Sequence, residues 1–279
     1  MARSEDVPVS RESALPDQYR DGRNLEARIR LHERFSTNPC GFHPWLLSQG
    51  DLAVDASILE LGCGVGSFWV TNRESIPPRW RVDLTDISPG MVLEAERRLS
   101  TLFAGFTFAT VDAEVLPYAD TSFDAVFAHF MFYHVEDRQR AICEVARVLR
   151  PGGQLYAATN GPQHMREARE FAMNAGLMTL DEVEAGDAAA FSLENGAEQL
   201  RAAFASVERR RYEDRLVVTE AEPLMAYILS TGQAQDALSG LAPDERAHRM
   251  KMLHALLESR LSAHGHIIVT KDSGVFIAR

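Results

Sequence analysis

The residues best suited to chemistry begin in one short stretch, Glu60-Leu61-Gly62-Cys63-Gly64-Val65-Gly66, directly after the apolar run Ser57-Ile58-Leu59. The run reads as a buried parallel strand, and three glycines at alternate positions turn it sharply toward a helix. Glycine lets the backbone take unusual dihedrals there and lets a ligand approach with no Cβ in the way. An acid two positions before Gly62 suits a ligand that carries positive charge and would repel a phosphate. The spacing Glu-x-Gly-x-Gly-x-Gly is neither the dinucleotide pattern Gly-x-Gly-x-x-Gly nor the lysine-bearing P-loop. Twenty residues beyond Gly66, Asp86 ends a second strand, 81–86, where doubly wound nucleotide folds place the acid that accepts both ribose hydroxyls. A third strand, 106–111, runs into Asp112-Ala113-Glu114. A fourth, 123–129, opens the stretch His129-Phe130-Met131-Phe132-Tyr133-His134. His129, His134 and Tyr133 are candidate proton-handling groups, since imidazole titrates near neutral pH. The plainer alternatives are helix capping for Asp86 and Asp112, and capping of the Val135-Glu136-Asp137 turn for His134.

These motifs, in this order, resemble the class I S-adenosylmethionine (SAM) dependent methyltransferases, in particular the small-molecule group that includes the ubiquinone/menaquinone-biosynthesis enzymes. The resemblance is tight from about Ile58 to Asn160. It implies an α/β fold: a Rossmann-like, seven-stranded, mostly parallel sheet with helices on both faces. It implies SAM as cofactor, S-adenosylhomocysteine as product and no metal. Glu60, Gly62, Cys63, Gly64 and Gly66 would line the methionine part, Asp86 the ribose, and Ile87, Asp112 and Ala113 the adenine. His129 would sit beside the reactive methyl. Methyl transfer from a sulfonium is an in-line displacement, so the protein mainly positions the acceptor and excludes water. A base is needed only where the acceptor must lose a proton.

The elements that must position these groups follow from the patterning. Residues 1–18 form a mobile arm. Within 19–56, Leu25, Ile29, His32 and Phe35 recur at helical spacing up to Ser36-Thr37-Asn38-Pro39, and a second short helix contains Trp45-Leu46-Leu47. These resemble lid helices, with Tyr19, Arg28, His32 and Phe130 as substrate-binding candidates; a surface role for Arg28 is the alternative. The motif Arg28-Ile29-x-Leu31-His32-x-x-Phe35-Ser36 further resembles bacterial methyltransferases associated with natural-product tailoring. Residues 57–162 are the SAM-binding core, with helices 89–99, capped by Ser88 and started by Pro89, and 137–149, stopped by Gly152-Gly153. Residues 163–265 read as a helical cap with one interposed strand, Val207–Val218. An Ala- and Glu-rich connection spans 180–190, and the cap closes with helices 220–230 and 243–262. Residues 266–279 read as antiparallel edge strand of the core.

Composition narrows the function classes. The 279 residues carry a net charge of −11, from 29 basic and 40 acidic residues, which argues against a nucleic-acid partner. No stretch is apolar enough to span a bilayer, no membrane partner is expected, and the expected location is the cytoplasm. Cys40, Cys63 and Cys143 form no CxxC pair, so neither zinc nor a disulfide framework is indicated. The aromatic-rich candidate site leans toward a small aromatic acceptor methylated on carbon, nitrogen or oxygen. Two rivals are a non-catalytic SAM-binding protein and an NAD-dependent oxidoreductase; for the latter the third glycine comes one position early.

Overall fold

The computed structural model describes residues 23–185 and 188–279. Alternating strand and helix dominates the first half: β1 (Ser57–Leu61), α3 (Ser67–Asn72), β2 (Arg81–Asp86), α4 (Pro89–Leu99), β3 (Phe106–Thr110), β4 (Phe123–His129), α5 (Arg138–Val148) and β5 (Leu149–Asn160). Two short helices precede it, α1 (Arg23–Phe35) and α2 (Phe42–Leu47). Local signals explain the helix starts. Ser88 accepts a hydrogen bond from the Met91 amide, with Pro89 at the first position, and Asp137 accepts from the Arg140 amide. Along α4, Met91, Val92, Ala95 and Leu99 form the buried stripe.

The main sheet has the order β3-β2-β1-β4-β5-β9-β6, where β9 is Ser273–Ala278 and β6 is Val207–Tyr212. The first five strands are parallel, and β9 runs antiparallel to both β5 and β6. In β1, Ile58 points into the layer that holds Trp69, Val82 and Leu99. Leu59 and Leu61 point into the opposite layer with Ile142, Val145 and Phe276. A sheet covered on both faces buries all five β1 residues, which is why that segment reads as continuously apolar.

A third apolar cluster lies in the cap. It gathers α6 (Arg166–Asn174), α9 (Ala221–Leu229), α11 (Pro243–His264) and a small antiparallel sheet of β7 (Arg215–Val218) with β8 (Ile267–Thr270). Leu31 and Phe35 of α1 are buried in this same cluster, so α1 packs on these elements. Each such side chain contributes about 1.5–3 kcal/mol by leaving water.

Several sequence expectations are corrected. The span 207–218 is two strands, because the chain leaves the main sheet at Glu213-Asp214 and re-forms as β7 elsewhere. The terminal segment is no edge strand: β9 lies between β5 and β6, and β6 takes the edge, while β8 belongs to the cap sheet. The cap therefore extends beyond residue 265, and it holds strand pairing of its own. The connection 180–190 contains a helical turn, α7 (Leu180–Ala185), and the cap holds two further short helices, α8 (Gly196–Leu200) and α10 (Gly232–Ser239). Helix α5 ends at Val148, ahead of the glycines, because Leu149 turns extended and pairs with Phe123.

Candidate functional site

The glycine turn is built by three left-handed residues, Gly62 (φ 69°), Gly64 (φ 53°) and Gly66 (φ 73°). At Gly62 a Cβ would stand 2.7 Å from the Met131 Cβ, so any other residue would be strained and would also collide. Backbone bonds tie the turn to β2: the Cys63 amide donates to the Thr85 carbonyl (2.8 Å), and the Thr85 hydroxyl donates to the Glu60 carbonyl (2.7 Å). Burial, helped by the Glu60 and Asp86 charges, pushes the Cys63 thiol up and keeps it protonated.

Asp86 stands at the carboxyl end of β2. One oxygen accepts from the Gly64 amide and the other from the Ser88 amide, both at 2.9 Å. Burial raises its pKa, and those backbone amides oppose the rise. Two accepted bonds leave lone pairs on both oxygens of a carboxylate. That capacity fits a ribose diol, and the open glycine backbone beside it fits the rest of a nucleoside-bearing ligand. Ile87 is half-buried next to it, Ala113 is buried, and Asp112 accepts from the Glu114 amide at 2.9 Å. The residues assigned from sequence to ribose and adenine thus sit at adjacent strand ends, β2 and β3.

Glu60 differs from its expected role. Its carboxylate is 2% exposed and faces protein groups. Oε2 accepts from the Trp69 indole N–H (2.5 Å), and Oε1 lies 3.4 Å from His129 Nδ1. His129 ends β4 with its side chain 9% exposed, its ring centroid 4.8 Å from that of Phe68 and 5.3 Å from that of Phe127. Both ring nitrogens are buried without a hydrogen bond.

Beyond His129 the chain turns through Phe130, a non-glycine residue at φ 57°. Its ring meets Phe42 of α2 at 5.3 Å, and Phe42 meets Tyr212 at 5.1 Å. His134 is exposed at the surface, where desolvation by neighbouring groups, aided by the Arg28 charge, pushes its pKa down to about 4. Tyr133 packs on the α5 side of the sheet, with its ring 4.4 Å from that of His134, and so does not join His129. Arg28 donates to Ser230, through Nε to the hydroxyl (3.0 Å) and through Nη2 to the carbonyl (2.6 Å). It pins α1 to the end of α9. His32 has a buried Nδ1 with no hydrogen-bond partner and rings of His164 and Tyr227 at 5.8 and 5.9 Å. Burial lowers its pKa, helped by the charges of Lys271, His43 and Arg28. Tyr19 lies outside the described residues.

The structure adds members the sequence reading missed. Lys271, 5% exposed, lies 3.3 Å from Asp214, whose side chain is fully buried, and its ammonium stands 5.2 Å from the Tyr212 ring centroid and 5.8 Å from that of Phe42. Asp214 also accepts from the Ser36 hydroxyl (2.7 Å) and the amides of Thr37 and Asn38 (both 3.0 Å). Burial alone would raise the Asp214 pKa; the Ser36 hydroxyl, Lys271 and the Asn38 amide outweigh it and hold the carboxylate low. His43 accompanies them, its pKa lowered to about 4 by burial and by the charges of His129 and Lys271. One signal was available: Lys251 and Lys271 are the sole lysines among 29 basic residues. Outside this region, a hollow of about 370 Å³ lined by Glu167, Phe171, Arg260 and His264 shares no residue with the glycine turn. Among the described residues, one trio could gather metal-ligand atoms within 4.8 Å, Glu222, His254 and Glu258; it includes no residue of the site.

Residues 59–157 match the family model described as a methyltransferase domain. A ubiquinone/menaquinone biosynthesis C-methyltransferase of Xanthomonas campestris is 38% identical over 99 residues, 35% of this chain and 39% of that protein. Methyltransferase GfsG of Streptomyces halstedii is 35% identical over 117 residues, 40% of this chain and 41% of that protein. The chain spans about two fifths of the length of the curated relatives it matches. A structure of Haemonchus contortus phosphoethanolamine N-methyltransferase 2 with SAM superposes with a TM-score of 0.55 at 18% identity, covering 98% of this chain and 60% of that one, a likeness of fold. Among the described residues, no helix is long and apolar enough to cross a membrane.

Proposed function

Because residues 59–157 of this chain belong to the class I SAM-dependent methyltransferase family, we propose that the protein methylates a small aromatic acceptor, with SAM as donor. The observation that carries this reading is the Asp86 carboxylate at the end of β2, hydrogen-bonded to the Gly64 amide of a three-glycine turn that has no room for a side chain at Gly62. Bound there, SAM supplies a methyl group already activated on a sulfonium. Asp86 would hold the ribose hydroxyls, Asp112 and Ala113 the adenine edge, and Ile87 one adenine face. The glycine backbone at Gly62, Cys63 and Gly64 would take the methionine part.

The acceptor would lie under α1 and α2. Phe42, Phe130 and Tyr212 offer flat apolar walls there, and His32 offers an unused ring nitrogen. Four imidazoles held neutral, those of His32, His43, His134 and His164, would leave a cationic donor unopposed. Enclosure by lid and cap suits a small molecule and excludes water from the displacement. A tailoring role in cytoplasmic natural-product metabolism belongs to the same proposal and draws on the GfsG-like match.

The test is incubation of the purified protein with methyl-labelled SAM and a panel of phenols, indoles and aromatic amines, read by mass spectrometry. A labelled small product is expected. SAM binding with no transfer to any member of the panel or to a small-molecule extract would favour a non-catalytic SAM-binding role, and absent SAM binding would overturn the reading.

A further inference from the structure

The acid of the glycine-turn motif is buried against an indole and an imidazole. Glu60 lies opposite Phe127 in the parallel register of β1 and β4. Side chains repeat every two residues along a strand, so His129, two beyond Phe127, lies on the same face of the sheet as Glu60. The Trp69 indole fixes one Glu60 oxygen, and the other faces His129 Nδ1 at 3.4 Å. His129 is nine-tenths buried between Phe68 and Phe127, yet neither of its nitrogens has a hydrogen bond. A buried polar atom without a partner is costly, so an imidazole with two such atoms points to a missing partner. Nδ1 needs only a few tenths of an ångström to reach Glu60, the kind of tightening that ligand binding produces. Nε2 has no hydrogen-bond partner among the described residues.

We propose that Trp69, Glu60 and His129 form a relay in which Glu60 is a positioning residue, fixing the His129 ring in its Nδ1–H tautomer and leaving Nε2 as proton acceptor toward the methyl acceptor. This rests on the methyl-transfer reading above. The substrate class it selects is an acceptor that must shed a proton, a phenol or an amine. As the acceptor's lone pair closes on the methyl carbon and the carbon–sulfur pair departs to sulfur, the O–H or N–H proton passes to Nε2 and afterwards to solvent. Glu60 gains no proton and stabilises the imidazolium by its charge. The other titratable group that the structure shows facing His129 is His43 of α2, held neutral at pH 7 and so no competitor for Glu60.

The relay is read without turnover. Ring-nitrogen NMR of ¹⁵N-histidine-labelled protein, with His129→Gln used to assign the signal, reports the tautomer with and without SAM. Calorimetry reports SAM affinity. The expected wild-type state is Nδ1–H with bare Nε2. Glu60→Gln should raise the Nε2–H fraction of His129 while SAM affinity stays within about twofold. Trp69→Phe frees one Glu60 oxygen and should shift population toward Nε2–H. Should Glu60→Gln fail to fold, the wild-type tautomer and Trp69→Phe still decide. An Nε2–H tautomer in the wild type, or an unmoved tautomer ratio in Glu60→Gln, would overturn the relay, and about tenfold weaker SAM binding in that variant would make Glu60 a donor ligand. A wild type with the Nδ1–H tautomer and no SAM binding would instead sink the methyl-transfer reading, and the base role with it.

Discussion

Asp86 and Gly62 set the expectations at the residue scale. Asp86 is the carboxylate whose lone pairs stay available after two backbone bonds. Asp86→Ala should weaken SAM binding by about 1–3 kcal/mol, the scale for removing one partner of buried polar groups, and calorimetry measures it. Unchanged affinity would remove Asp86 from the ribose site. Gly62→Ala meets two penalties together, a left-handed backbone costing about 1–2 kcal/mol and a Cβ driven onto Met131. A lowered melting temperature with at least tenfold weaker SAM binding is expected. The strand-end positions of Gly62, Asp86 and Asp112 were legible in the sequence because each sits at a fixed offset from a strand end, where backbone geometry alone decides its place. The acceptor side was not. His43, the pair Tyr212 and Asp214, and Lys271 come from three separate segments, and no local spacing relates one segment to another. Glu60 was legible as an acid in the motif, but its direction depends on Trp69 and His129, which only the packed layer brings to it.

At the scale of elements, the boundaries of β2, β4 and α4 follow the sequence pattern because caps and alternation coincide there. Reading failed where pattern and topology part. The span 207–218 reads as one strand, yet it breaks at Glu213-Asp214 because Asp214 is drawn inside by Lys271 and by the chain after α1. Strand β9 is buried at all six positions, the mark of an interior strand, and the unalternated run Val275-Phe276-Ile277-Ala278 carried that information. Helix α10 buries little apart from Ala234 and so left no stripe to detect. The Asp214 hub makes its own prediction. Asp214→Ala leaves the Lys271 ammonium buried and unpaired and frees Ser36, Thr37 and Asn38. A loss of about 3–5 kcal/mol is expected in urea unfolding. A loss below about 1 kcal/mol, the scale of an exposed pair, would mean that the hub is wet and weak.

For the molecule as a whole, the depressed imidazoles set the acid limit. His43 drops to about 4, and burial holds His32 and His164 well below their ordinary value. A folded pKa below the unfolded one means that the unfolded chain binds more protons in between. Stability should therefore fall as pH drops from about 6.5 toward 4, by up to about 3 kcal/mol for His43 alone. Melting temperatures across that window check the sign; a flat profile would mean these rings are solvated. His134 is accessible enough that screening removes most of its share.

The anchoring of α1 also has a consequence in time. Leu31 and Phe35 pack on residues such as Leu216, Leu224 and Leu253, and Arg28 reaches Ser230 across 202 positions of sequence. During synthesis at about 5–20 residues per second, the amphipathic α1 would wait roughly 10–40 s for the surface that covers it. The sheet strands β1 to β5 can pair in that interval. Helix α1 would then be among the last parts to settle, and its apolar stripe would stay open to chaperones on the ribosome until the C-terminal elements emerge.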